Sequence, residues 1–276
     1  MQRFKPSVTN PDDLLSVREV VERIRVPQDL SKMPTVVLLV SPGRSGSTAL
    51  LYAASTLMPA YFQPIKNILQ FGRPPLNLES ESVEVFIKEV FGFWHEAECR
   101  MDAVGLLLDA GLPHEKLRVI AMLRDPLTTY ESWLENFEGV TLETFSWSYR
   151  NTLLQFNKAR DLGIRTTAVI YESLASETEA KLDRVWARQG ISEATLGGRT
   201  DWVALPPSER VILPPEADDP VFRDLFLKRV QARNGFRVVP RKSVSVPTRE
   251  VRFVETELLP IYRELGQNSL FPTDYR

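Results

Sequence analysis

The run Thr35 to Tyr52, TVVLLVSPGRSGSTALLY, limits this chain more than any other stretch. Thr35 to Val40 are apolar or β-branched, the pattern of a strand buried on both faces. Ser41, Pro42, Gly43, Arg44, Ser45, Gly46, Ser47 and Thr48 follow, small and flexible apart from one arginine, and from Ala49 the pattern is apolar and helix-compatible. A strand that turns through a glycine loop into a helix aims backbone N–H groups and the positive helix end at one spot. Hydroxyls and a guanidinium added there predict a phosphate or sulfate site. The alternative is a tight turn whose Ser and Thr only cap the helix. Arg44 has no part in capping, which favours the anion.

The loop departs from two better-known phosphate cradles. A nucleotide-hydrolysing loop reads G-x-x-x-x-G-K-[ST]; here Gly43 and Gly46 stand too close and Ser47 follows where Lys is required. The dinucleotide fingerprint G-x-G-x-x-G is absent as well.

Composition narrows the class. The 276 residues carry a net charge of -2 and are 43% hydrophobic, as in a globular chain that buries a full core. No basic excess points to nucleic acid or an anionic membrane. Cys99 is the one cysteine, and His95 and His114 are the two histidines, so neither a disulfide nor a Cys/His metal site is expected. The first residues, MQRFKPSVTNPDDLL, lack the apolar core of a secretory signal, and no apolar run approaches the roughly 20 residues that span a bilayer. The expectation is a cytoplasmic enzyme.

Along the chain, a capped helix is expected from Asn10 or Asp12 to about Arg25, and one from Ala49 to about Leu57. A short strand at Ala60 to Gln63 precedes a Pro- and Gly-containing loop from Pro64 to Pro75. Val83 to Phe91 reads as a strand or, equally, a helix. A helix is expected over Trp94 to Ala110, a buried strand over Leu117 to Leu123, and helices from Pro126 to Phe137 and Leu142 to Leu162. Arg165 to Tyr171 reads as a strand, with a helix from Ser173 to about Arg188. Prolines dominate Gly190 to Pro220, a long excursion or lid. Helices over 221–234 and 249–265 flank a basic segment. Strands alternating with helices predict an α/β fold: one domain over 1–276, three layers, with a mainly parallel sheet flanked by helices. Ligands in such folds sit beyond the carboxyl ends of the strands, where Arg44, Lys88, Arg124 and Tyr171 all fall.

A second constellation lies in LRVIAMLRDPLTTYESW. Arg124 directly follows a strand, and Ser132 stands eight residues later on the next helix. The planar guanidinium suits a phosphate and the hydroxyl would add a donor. Alternatively, Arg124 pairs with Asp125 or a neighbouring carboxylate and Ser132 is only a polar surface residue.

Taken together, PGRSGST and RDPLTTYES, in that order and spacing, resemble the PAPS-dependent sulfotransferase family. The resemblance spans roughly Thr35 to Tyr171 and implies a P-loop-like sulfotransferase architecture. It further implies that Arg44, Ser45, Gly46, Ser47 and Thr48 cradle the 5′-phosphosulfate, with Arg44 following charge onto the bridging oxygen. Arg124 and Ser132 would bind the 3′-phosphate. Tyr171, in VIYESL, is similar to a strand-end Tyr near the adenine, and Arg241 and Lys242 to a late basic loop over the 3′-phosphate. The implied reaction is in-line sulfuryl transfer from PAPS to a hydroxyl or amine of a small-molecule acceptor, leaving adenosine 3′,5′-bisphosphate, with no metal, nucleic acid or membrane involved.

The chain departs from the family at the proton acceptor. Where relatives of this subgroup carry Glu-Pro, Gln63-Pro64 stands, and glutamine cannot take a proton at neutral pH. Lys88 matches the family's lysine in IKEVFGFWHEAE. His95 is the first candidate base, Glu89 the second, and Lys66 could touch the sulfonate. The family's adenine-stacking Trp is Ala49 here, which leaves Trp133 or Phe236 as substitutes. Two other functions stay open: a protein of this fold that no longer transfers sulfate, and an ATP-dependent phosphotransferase. Acceptor identity and oligomeric state are not legible.

Overall fold

In the computed structural model, the residues described are 3–6, 8, 10–175, 178–192, 195–196, 211–213 and 246–271. The strands are β1 (Ile24–Arg25), β2 (Thr35–Pro42), β3 (Ala60–Phe62), β4 (Leu76–Asn77), β5 (Glu84–Phe91), β6 (Leu117–Leu123), β7 (Arg165–Ile170) and β8 (Val211–Ile212). The helices are α1 (Val17–Val21), α2 (Ser47–Ser55), α3 (Pro64–Phe71), α4 (Glu96–Cys99), α5 (Ala103–Asp109), α6 (Pro126–Asn136), α7 (Leu142–Asp161), α8 (Tyr171–Leu174) and α9 (Thr178–Gln189). After residue 246 come α10 (Thr248–Phe253), a π-helical turn (Val254–Leu258) and α11 (Leu259–Gln267).

Six strands form one parallel sheet in the order β7-β6-β2-β5-β3-β8, and β1 pairs with β4 apart from it. Every residue of β2 and β5 is buried, which is why both run without alternation. Right-handed crossovers place α2, which carries β2 toward the β8 edge, on one face. Those leading from β3, β5 and β6 run the other way, so α3, α5 and α7 cover the opposite face. Packing agrees: α2 lies on β5 and β3, and α7 lies across β6, β2, β7 and β5. The architecture is therefore α/β, with a parallel sheet between helical layers.

Because β2 leaves toward one edge and β6, its neighbour, toward the other, the carboxyl ends of these two strands flank a topological switch point. Arg44 follows β2 and Arg124 follows β6.

Several boundaries differ from the sequence reading. Pro64 to Phe71 is a helix, not a loop: Pro64 begins it and Gly72, in a left-handed conformation, ends it. Val83 to Phe91 resolves as strand, since its residues pair in register with β2 from Thr35↔Glu84 onward. The span 94–110 divides into α4 and α5, with Asp102 capping the second through Gly105 N–H. Near the N-terminus the helix shrinks to α1, started by a Ser16–Glu19 capping box. Val211 and Ile212 of the Pro-rich excursion add an edge strand beside β3. Residues 193–194, 197–210 and 214–220 of that excursion, the helix expected over 221–234 and the basic segment with Arg241 and Lys242 lie outside the described residues, as does Phe236. Among the described residues no helix is long and apolar enough to cross a membrane.

Candidate functional site

The glycine loop closes β2 and opens α2. Arg44 takes a left-handed backbone, φ 68°, that non-glycine residues rarely adopt, and Gly46 follows at φ 94°. The loop is held from three sides. Trp133 Nε1 donates to the Gly43 carbonyl at 2.7 Å. Phe93 packs so closely on Gly43, and Tyr171 on Gly46, that a Cβ at either glycine would overlap the ring. Strain kept in place by packing in this way is characteristic of sites that present groups to a ligand.

The two sequence constellations meet here. Arg44 Nε donates to Ser132 Oγ at 3.1 Å, across 88 residues of chain. Tyr171 joins them a second time, since its ring touches Gly46 on one side and carries the Arg124 guanidinium at 5.0 Å from its centroid on another. Both arginines therefore serve one rim, at the crevice between β2 and β6.

Two buried polar atoms lack partners in this rim. Ser45 Oγ and Arg124 Nε have no hydrogen bond although both are shielded from water. Such groups are costly unless something polar meets them. Arg124 also lies beside a carboxylate, as the alternative sequence reading allowed: Glu172 Oε1 stands 4.0 Å from Nε, beyond hydrogen-bond range.

Lys88 is the third basic side chain, supplied by the fully buried β5. Its Nζ donates to Thr48 Oγ1 at 3.1 Å and sits 3.6 Å over the Phe62 ring. Burial pushes its pKa well below the usual lysine value, with Lys66 and Arg44 adding repulsion and Glu89 opposing. Buried amines of this kind lean toward the neutral form.

Glu89 is next on the strand and so points to the opposite face. Its carboxylate accepts the N–H groups of Ile65 at 2.7 Å and Lys66 at 3.2 Å, capping α3 from a neighbouring strand. Burial raises its pKa to about 8, against the pull of those two amides and of Lys66 and Lys88. Both oxygens are engaged in the helix cap, which removes Glu89 from the loop's side of the sheet. His95 is likewise held elsewhere: its Nε2 lies 2.8 Å from the Val8 carbonyl, beside the N-terminal segment. Lys66 pairs with buried Glu98 at 3.5 Å and donates to the Gly92 carbonyl. Trp133 is fully buried among Gly92, Phe93 and Phe145, so it braces the loop and cannot stack on a base. Gln63, at φ 53°, ends β3 beside Lys88, whose carbonyl accepts its N–H at 2.7 Å.

Sequence reasoning missed Glu172 and Tyr262. Tyr262 Oη donates to Glu172 Oε2 at 2.8 Å, and the Asp125 N–H donates to Oε1 at 3.1 Å. The single local signal was the position of Glu172 directly after Tyr171.

No protein-family model matches this chain, and no curated protein matches it. Among solved structures it is similar to mouse sulfotransferase SULT7A1 in complex with PAP. The sequence identity is 12%, over 93% of this chain and 90% of that one, with a TM-score of 0.42. A likeness of that degree carries no conclusion about ligand or activity. Among the described residues, no group of three or more His, Cys, Asp or Glu is gathered to hold a metal ion.

Proposed function

We propose that this chain is a sulfotransferase that takes PAPS as donor and a small molecule bearing a hydroxyl or amine as acceptor. The observation that carries this reading is the hydrogen bond from Arg44 to Ser132, which joins the two predicted anion sites at one switch-point rim. The orphaned Ser45 Oγ and Arg124 Nε suit a ligand with two separated anionic groups. In this reading the residues from Arg44 to Thr48, with Lys88, hold the 5′ side, and Arg124 with Ser132 holds the 3′-phosphate.

The donor supplies an activated sulfuryl group. The chain's part is positioning and charge: cations fixed before the reaction stabilise negative charge as it gathers on the leaving phosphate. Arg44, held by Ser132 and by its strained backbone, is aimed in advance. Lys88, whose Nζ lies against Thr48 of the loop, adds its charge once the donor's anion restores the protonated form.

Calorimetric titration with adenosine 3′,5′-bisphosphate, adenosine 5′-monophosphate and ATP tests the donor site. Bisphosphate should bind most tightly, and equal affinity for all three would refute the assignment. Transfer of labelled sulfate from PAPS to a panel of phenols, alcohols and amines then tests the reaction. Binding without any transfer would leave a nucleotide-binding protein of the same fold.

A further inference from the structure

The Arg124 side chain is 12% exposed and its Nε is shielded from water, yet that Nε makes no hydrogen bond, although a carboxylate lies only 4.0 Å away. Both oxygens of Glu172 are anchored by other donors. Oε1 accepts the Asp125 N–H, and Oε2 accepts the Tyr262 hydroxyl, which comes from α11 at the far end of the chain. A π-helical turn lies directly before α11, and Pro260 in the first turn of that helix has no N–H to donate. Tyr171, the residue before Glu172, lies under the guanidinium.

We infer that Tyr262 is a positioning residue that holds the Glu172 carboxylate off Arg124, so that the arginine's donors stay open to a ligand phosphate. This rests on the assignment of Arg124 to the 3′-phosphate. A carboxylate at the observed distance balances the arginine's charge. Released, it would close onto the guanidinium as an ordinary ion pair and compete with the phosphate. Tyr262 thereby sets the preference for a 3′-phosphorylated nucleotide from a helix some 90 residues away in sequence.

The test is a titration of wild type, Tyr262→Phe, Glu172→Gln and the double variant with two probes, adenosine 3′,5′-bisphosphate and adenosine 5′-monophosphate. Tyr262→Phe should weaken bisphosphate binding about tenfold, the worth of one charge-assisted contact, and leave the monophosphate unchanged. Glu172→Gln should tighten bisphosphate binding, because it removes a negative charge beside the phosphate. The double variant should recover at least wild-type affinity, a rescue that a merely structural role for Tyr262 would not give. Equal losses for both probes, no loss at all, or a double variant as weak as Tyr262→Phe would overturn the inference. If Tyr262→Phe does not fold, Glu172→Gln decides alone, and weaker bisphosphate binding by it is contrary. A wild-type chain that binds both nucleotides equally would instead remove the 3′-phosphate assignment, and this inference with it.

Discussion

Replacing Gly46 by alanine tests whether the loop and Arg124 are mechanically one site. Two effects add. A left-handed backbone costs an L-residue roughly 1–2 kcal/mol, and Gly46 sits at φ +94°. The new methyl would also overlap the Tyr171 ring, which must move, and that ring supports Arg124. Gly111 separates the two effects: its φ is +97°, and a Cβ there meets nothing within 4 Å. Gly111→Ala should therefore lower the melting temperature by roughly 2–8 °C, taking about 2–4 °C per kcal/mol for a chain of this size, with ligand binding untouched. Gly46→Ala should destabilise at least as much. It should also lose charge-assisted contacts worth about 1.5–3 kcal/mol, a fall in bisphosphate affinity of roughly 10- to 150-fold by calorimetry. If Gly46→Ala binds bisphosphate as tightly as Gly111→Ala does, the coupling through Tyr171 is refuted.

Other outcomes follow from the same geometry. Bisphosphate binding should take up a proton, because an incoming anion restores the charged form that burial disfavours at Lys88; affinity should then fall as pH rises through the lowered Lys88 value. Calorimetry in two buffers of different ionisation enthalpy measures this, and equal uptake by Lys88→Met would show that another group is responsible. Trp133→Phe leaves the buried Gly43 carbonyl without its donor and should cost about 1–3 kcal/mol in denaturant unfolding, weakening mono- and bisphosphate alike. Glu89 is protonated in the folded chain up to about pH 8, well above its unfolded value. The folded state thus binds more protons through that window, and stability should decline as pH rises from about 4.5 to 8. Glu89→Gln should flatten that slope, and an unchanged slope would assign it to other groups.

The strands at 35–42 and 117–123 were legible as apolar runs buried almost throughout, and 165–170 by its β-branched and apolar residues after an exposed Arg165, and the parallel sheet follows from their alternation with helices. The two arginines were legible as local motifs at strand ends. Their meeting is a tertiary fact, since a hydrogen bond across 88 residues leaves no local trace. The helix after Pro64 was misread for a different reason. Its start and stop residues, Pro64 and Gly72, are also loop residues, and the stripe Ile65, Ile68 and Leu69 is too short to decide by period. The break between α4 and α5 has no glycine or proline to announce it. His95 was weighed by chemistry alone, which cannot foresee its contact with the Val8 carbonyl, and the burial of Trp133 under the Gly43 carbonyl was equally hidden. Glu172 was invisible until α11 brought Tyr262 to it.

The cap on α3 has one more consequence. Its acceptor oxygens arrive from the neighbouring strand, through the Glu89 carboxyl, while the side chain at the helix threshold, Gln63, makes no capping bond of its own. Position 63 is thereby released from upholding the helix. The scaffold can exchange the side chain there for another of different chemistry without taking away the acceptors that hold the start of α3.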